Sequence, residues 1–337
     1  MLEGLNSFFK TIAGFLWGVP LSGAVVVTGA VVCILTGFII YRRFGFVLKN
    51  TFGKMFDKTE AEEGAITPFQ AVSTALAATV GTGNIVGVTT AIINGGPGAI
   101  FWMWLAAILG MTTKFAEVTL AVAYRERNEL GEYSGGPMYY IKNGLGQAWL
   151  AKVFALFAAL AAFGIGCMVQ ANSIATSLLG QFNIPTWVTG ALVVVSAGAI
   201  LIGGIKRIGQ VAEKLVPFMA AFYILGGLII LIMNAAQLPG VFSSIFSNAF
   251  TGRAAFGGFA GATVGEAIRY GVARGVFTNE AGLGSAPIAH AAASTDHPAR
   301  QGIWGAFEVF VDTILVCSIT ALVVISSNLW NTSELEG

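Results

Sequence analysis

Two short polar interruptions stand inside otherwise apolar stretches, and their residue types are those that hold small charged solutes. The first is Thr79-Val80-Gly81-Thr82-Gly83-Asn84-Ile85-Val86-Gly87, the second Phe277-Thr278-Asn279-Glu280-Ala281-Gly282-Leu283-Gly284. Each interior glycine costs a helix roughly 1 kcal/mol relative to alanine. Gly81, Gly83 and Gly87, three within seven residues, therefore weaken a helix sharply. An unwound helix exposes free carbonyls at the end of its first half and free N–H groups at the start of its second. Amides around Thr82, Gly83 and Asn84, aided by the positive end of a half-helix dipole, suit a carboxylate. Carbonyls from Ala77 to Val80 suit Na⁺ or an ammonium group. A small zwitterion needs both signs close together, and this arrangement supplies them without a buried charged side chain. Close helix packing through glycine is the plainer use of such residues, but the hydroxyls of Thr79 and Thr82 and the second interruption favour a site. The spacing Gly-x-Gly-x-x-x-Gly after a helix does not fit a dinucleotide fingerprint.

In the second interruption Thr278 and Asn279 offer neutral oxygens for a cation or an amino group. Glu280 must pair, protonate or line a wet cavity, because a carboxylate at a helix centre in lipid costs about 2.5–3.5 kcal/mol on insertion scales; Arg269 and Arg274 are the candidate partners. Lys114 with Glu117 is expected to be a salt bridge at one-turn spacing, and Glu308 with Asp312 raises the same question. Gln170 is a neutral polar group at depth that serves either as interhelical glue or as a contact to a bound solute. Cys33, Cys167 and Cys317 each lie alone in apolar runs and read as small hydrophobes; His290 and His297 are too few for a metal centre.

Of 337 residues, 55% are hydrophobic and 10% charged, with a mean hydropathy of +0.77; an ordinary soluble domain carries about 25% charge. A helix crosses a bilayer in about 20 apolar residues. Runs long enough fall at 15–41, 67–93, 98–124, 148–180, 186–204, 209–235 and 302–326, with 255–292 as a broken span. Lipid admits only helices and closed barrels, and these runs lack the alternation of barrel strands, so the expected class is an all-α polytopic membrane protein. The first run is too long for a signal core. Arg42, Arg43, Lys49, Lys54 and Lys58, then Arg125, Arg127 and Lys142, then Lys206, Arg207 and Lys214, then Arg300 occupy alternate connections. Lys10 and Arg253 are the main exceptions. By the positive-inside rule the N-terminus is outside, and eight crossings place the tail from Asn331 outside as well.

The chain repeats itself weakly. Each interruption is followed by a Pro-marked turn (Pro97, Pro298) and then by Phe115-Ala116-Glu117-Val118 or Phe307-Glu308-Val309. Gly-broken segments in corresponding places point to the binding site of a secondary transporter. Five spans separate the two starts, so the second unit enters from the opposite side, as an inverted repeat. The organisation is read as 1–66, a peripheral first helix with its cytoplasmic connection; 67–235, a five-helix repeat; and 236–337, an extracellular connection with the start of a second, incomplete repeat. An equal second repeat needs three more spans after 326, so the sequence is expected to represent part of a longer protein.

The stretch Gly81 to Gly87, the motif Ser134-Gly135-Gly136-Pro137-Met138-Tyr139-Tyr140, and Gly275-Val276-Phe277-Thr278-Asn279-Glu280-Ala281-Gly282-Leu283-Gly284-Ser285 together resemble the alanine or glycine to cation symporters, over the whole chain. The resemblance implies the leucine-transporter-type fold, an inverted-repeat helix bundle with discontinuous first and sixth core helices, here ending after the seventh. It also implies that the amides of Thr82 and Gly83 hold a substrate carboxylate and that the carbonyls of Ala77 and Val80 lie at a sodium site. Phe277 and Thr278 would open the unwound sixth core helix, Gly282 and Leu283 would flank the substrate side chain, and Gln170 would wall the pocket. The expected activity is symport of small neutral amino acids, alanine or glycine, with sodium by alternating access; proton coupling is the alternative. The expected partners are the amino acid, sodium and the lipid bilayer of the cell membrane, with no other cofactor, no nucleic acid and a monomeric state. A membrane enzyme would have to rest on Ser285 or on Glu308 and Asp312, but a nucleophile needs an activating base and none stands at a usable spacing. A channel also uses broken helices, and gradient-concentrating, saturable flux separates a carrier from a pore.

Overall fold

In the computed structural model, residues 2–55, 61–251, 263–328 and 330 are described. Lys58, Arg253 and the tail from 331, all used above to orient the chain, lie outside them. The helices α1 (Leu2–Leu16) and α2 (Val19–Leu35) form one apolar span from Asn6 to Leu35, followed by the short α3 (Ile39–Arg42) and α4 (Phe44–Asn50). Then come α5 (Pro68–Thr79), α6 (Val88–Gly95) and α7 (Gly98–Ala123). A hairpin of β1 (Glu126–Arg127) and β2 (Tyr133–Ser134), with Glu126 opposite Ser134, leads to α8 (Pro137–Asn143). The helices α9 (Ala148–Phe182), α10 (Thr186–Leu201), α11 (Gly204–Met233) and α12 (Leu238–Thr251) follow. After the undescribed stretch stand α13 (Val264–Asn279), α14 (Ala286–Ala291) and α15 (Pro298–Ser327).

Among the described residues, five helices are long and apolar enough to cross a membrane, and α5 with the segment Gly83–Gly95 makes a sixth span bent by 52°. The expected run 186–204 is only the 16-residue α10, about 24 Å long, short of a hydrocarbon layer of about 30 Å. The α12 helix was not anticipated. It lies on α7 through buried Val241, Ile245 and Ala249, where Gly98 admits it: a Cβ there would meet the Asn248 backbone at 2.4 Å.

Capping fixes where the two broken helices start. Thr67 accepts from the Gln70 amide at 3.1 Å while Gln70 accepts from the Thr67 amide at 3.1 Å, with Pro68 opening α5; Thr263 and Glu266 form the same reciprocal pair at α13. Each box satisfies two otherwise orphaned donors. The two broken helices run antiparallel, side by side. Ile66, just before α5, exchanges backbone hydrogen bonds with Ala292 (3.0 Å) and Ser294 (2.8 Å), just after α14. Gly83 meets Thr278 in the middle, and Gly95 at the end of α6 meets Glu266 and Ala267 at the start of α13.

Packed against both is α7, which also meets α15 closely: a Cβ on Gly302 or Gly305 would press on Phe115 and Thr119 or on Lys114 and Val118. Small residues at such crossings let helix backbones approach in lipid. Buried in this contact is an ion cluster. Lys114 pairs with Glu308 at 3.4 Å, Glu308 accepts or shares a proton with His290 Nε2 at 3.1 Å, and Gln301 Nε2 lies 2.7 Å from His290 Nδ1. All four side chains are fully buried. The expected Lys114–Glu117 bridge is thus corrected. Lys114 pairs across to α15, and Glu117 turns instead to the backbone of the second break.

Removing one partner of a buried pair strands the other charge and costs about 3–5 kcal/mol. Lys114→Met should therefore lower stability in detergent by that amount, and Glu308→Gln in the same chain should restore most of it, both read from thermal unfolding. Additive losses in the double variant would contradict the pairing.

Candidate functional site

The first break is made by side chains that take the donors a continuous helix would use. Asn84 Oδ1 accepts from the Gly81 amide at 2.7 Å, and Gln170 Oε1 accepts from the Thr82 amide at 3.4 Å and the Thr82 hydroxyl at 2.9 Å. Those amides would otherwise bond back to the carbonyls of Ala77 and Ala78. The Asn84 amide goes to Gly81 rather than to Val80, so the Ala77 and Val80 carbonyls both lose their usual donor. Val80 itself is extended (φ −80°, ψ 101°), and a π turn over Gly83–Gly87 resumes the helix.

The second break follows the same logic, but it starts at Glu280, with Phe277, Thr278 and Asn279 still in the last turn of α13. Glu280 takes a left-handed conformation (φ 54°). Asn279 Oδ1 accepts from the Ala281 amide, and Glu117 on α7 accepts from the Gly282 amide, each at 3.0 Å. The Leu283 amide bonds to Glu280, so the carbonyls of Phe277, Thr278 and Asn279 have likewise lost their helical donors. Glu280 accepts from the Ser285 hydroxyl; neither candidate arginine is its partner, since Arg269 donates to the Gly14 carbonyl at 3.3 Å and Arg274 stacks over the Phe277 ring.

One residue joins the two breaks. Asp312 Oδ1 accepts from Asn84 Nδ2 at 2.7 Å, and Asp312 Oδ2 accepts from the hydroxyls of Thr278 at 3.2 Å and Thr313 at 2.8 Å. Cys317 lies 3.3 Å from Asn84 Nδ2 and 3.5 Å from the Thr278 hydroxyl. Asn279 Nδ2 donates to Thr313 at 3.0 Å. Asp312 and Thr313 have no exposed surface, and Asn84, Thr278, Asn279 and Cys317 only 1%. Among the described residues, every donor to the Asp312 carboxylate is neutral. The residues Phe310–Cys317 form a π turn, as do Ala162–Met168 just before Gln170. Such turns re-aim side chains and recur at functional sites.

The expected site residues therefore divide. Gly81, Thr82, Gly83, Asn84, Gln170, Thr278 and Asn279 stand at the breaks, with the carbonyls of Ala77 and Val80 alongside. The Thr79 hydroxyl is engaged by its own helix, at 3.3 Å from the Ala75 carbonyl. The Phe277 ring packs edge-on against Trp17 at 5.9 Å. Gly282 and Leu283 turn the other way: a Cβ on Gly282 would face Val25, and Leu283 packs against the cluster of Val25, Ala106, Val272 and Val276, on the side of the peripheral α2 rather than of the first break. Asp312, Thr313 and Cys317 were missed as site residues; the signal was an unpaired carboxylate inside an apolar span.

Residues 2–337 match the sodium:alanine symporter family. The chain belongs to that family. It is 49% identical over 322 residues to a sodium/alanine symporter of Methanococcus maripaludis, covering 94% of this chain and 70% of that protein. An uncharacterized transporter of Haemophilus influenzae is 48% identical over 334 residues, 99% of this chain and 72% of its own length. An amino-acid carrier protein of Bacillus subtilis is 42% identical over 270 residues, 80% of this chain and 57% of the relative.

If Asp312 links the breaks, Asn84→Ala and Thr278→Val should each destabilise the protein by about 1–3 kcal/mol. Because they share one acceptor, their effects should be non-additive by at least about 0.5 kcal/mol, measured by denaturant titration in detergent. Simple additivity would contradict the shared carboxylate.

Proposed function

We propose that this family member moves a small neutral amino acid, alanine or glycine, across the cell membrane together with sodium, by alternating access about the two breaks. The observation that carries the reading is the Asp312 carboxylate. It is fully buried, is met among the described residues only by neutral donors, and bridges both broken helices. A buried charge without a counter-charge is strongly unfavourable, and a cation bound between the breaks supplies that counter-charge. Asn84 and Thr278 then turn their oxygens towards the ion, and the freed carbonyls of Ala77 and Val80 add neutral ligands. The family description and the name of the Methanococcus maripaludis relative, sodium/alanine symporter, support sodium and alanine as the pair. Proton coupling through the same carboxyl is the second reading, favoured by the same lack of a paired cation.

The amino acid is placed at the first break. Its carboxylate takes the Thr82 and Gly83 amides, displacing Gln170 Oε1 from Thr82, while its ammonium group faces the carbonyls left free by Phe277 to Asn279. A side chain larger than methyl meets the closely packed breaks, a filter of about 1–3 kcal/mol per methylene. The antiparallel broken helices support an inverted repeat of the leucine-transporter type, with 1–66 peripheral, 67–235 the first repeat and 236–337 the start of the second. On this reading the N-terminus is outside and the chain acts as a monomer.

Purified protein in liposomes should accumulate alanine under an inward sodium gradient and lose the accumulation when the gradient is collapsed. Asp312→Asn should abolish concentrative uptake. Uptake driven by a proton gradient alone would reassign the ion, and uptake indifferent to both gradients would overturn symport.

A further inference from the structure

A two-compartment groove lies away from the breaks, between α4 and the start of α15. One compartment, about 650 Å³, is walled by Ile40, Val47, Phe115 and Ile303 and lined by Arg43 and Arg300. The other, about 490 Å³, has a mixed lining, with Asn50, Lys54, Ser294 and Gln301 set beside Phe69 and Trp304. Phe46, Asp296, Arg300 and Ile303 line both, so the compartments meet at Arg300. An apolar slot joined through a cation to a chamber of mixed lining is the shape of an amphiphile with an anionic junction.

Charge points the same way. Residues 37–55 hold Arg42, Arg43, Lys49 and Lys54 and no acid. Among the described residues Arg43 has no hydrogen-bond or ion-pair partner for its guanidinium. Arg300 is shared with Asp296 at 2.8 Å on an exposed surface, and Glu62 lines the second chamber, so among the described lining residues the acids balance only part of the basic charge. Gln301, in the lining of this second chamber, is fully buried and its Oε1 has no hydrogen-bond partner.

We propose that this groove binds an anionic glycerophospholipid of the surrounding membrane. The phosphodiester lies between Arg43 and Arg300, an acyl chain fills the slot beside Ile40 and Phe115, and a headgroup hydroxyl donates to Gln301 Oε1. Basic pockets between membrane helices bind lipid headgroups by this chemistry, with each Arg or Lys near the surface worth about 1 kcal/mol. Phosphatidylglycerol, anionic and carrying free hydroxyls, is the fitting probe. The site stands independently of the transport reading.

Native mass spectrometry of the delipidated full chain, titrated with phosphatidylglycerol, phosphatidylcholine or glycerol phosphate, tests this. Phosphatidylglycerol should bind at least tenfold tighter than phosphatidylcholine. Arg43→Gln and Arg300→Gln should each weaken it about fivefold and together about 25-fold, whereas Arg42→Gln, a neighbouring cation outside the lining, should change it less than twofold. Phe46→Glu, at a residue 59% exposed that lines both compartments, should also weaken binding. Equal affinity for the two lipids, or equal losses in the Arg42 and Arg43 variants, would overturn the proposal. Glycerol phosphate competing as well as the lipid would reassign the groove to a soluble anion and overturn the lipid.

Discussion

A backbone N–H or C=O inside a bilayer has no water to turn to, so a helix interrupted there must find replacement partners in the protein. Both interruptions in this chain are built from that constraint. Asn84 and Gln170 take the amides of Gly81 and Thr82, and Asn279 and Glu117 take those of Ala281 and Gly282. These side chains satisfy the donors and leave the carbonyls, so each break presents backbone oxygen to its surroundings. Glycine weakens the helix, but the amide and carboxylate side chains hold it open.

Two carboxylates one turn apart on α15 then take different parts. Glu308 is balanced by Lys114 and held by His290, which fixes α15 to α7 and to α14. Asp312 has only neutral donors and reaches both breaks. A paired buried carboxylate positions helices; an unpaired one asks for a mobile cation. The backbone bonds between Ile66 and Ala292 and Ser294 tie the outer ends of the two broken helices on one side, so that a change at the middle can act on α5 and α14 together.

Much of this was legible in the sequence because glycine and polar residues stand out against apolar runs. The two interruptions and the antiparallel sense of the second followed from residue types and spacing, although the second begins at Glu280 rather than Phe277; Gln170 stayed open between helix glue and solute contact, and only the resemblance set it at the pocket. Side-chain partners that cross between distant segments did not. Lys114 was assigned to Glu117 by its one-turn spacing, whereas its partner is 194 residues away. Gly282 and Leu283 were placed at the solute by resemblance, yet the left-handed turn at Glu280 sends them to α2. Cys317, read as a small hydrophobe, touches both Asn84 and Thr278. The three π turns that aim Asn84, Gln170 and Asp312 leave no mark on hydrophobic periodicity, since one extra residue in a turn shifts a helix face without changing its composition.

On the proposed reading, the charge on Asp312 is matched by an ion held between the two breaks. Sodium-22 binding to the purified protein, measured in detergent against the Asp312→Asn variant, tests it directly. Binding should be saturable, fall at least tenfold in the variant, and persist in Glu308→Gln chains. Undiminished sodium binding after the loss of the Asp312 charge would contradict it.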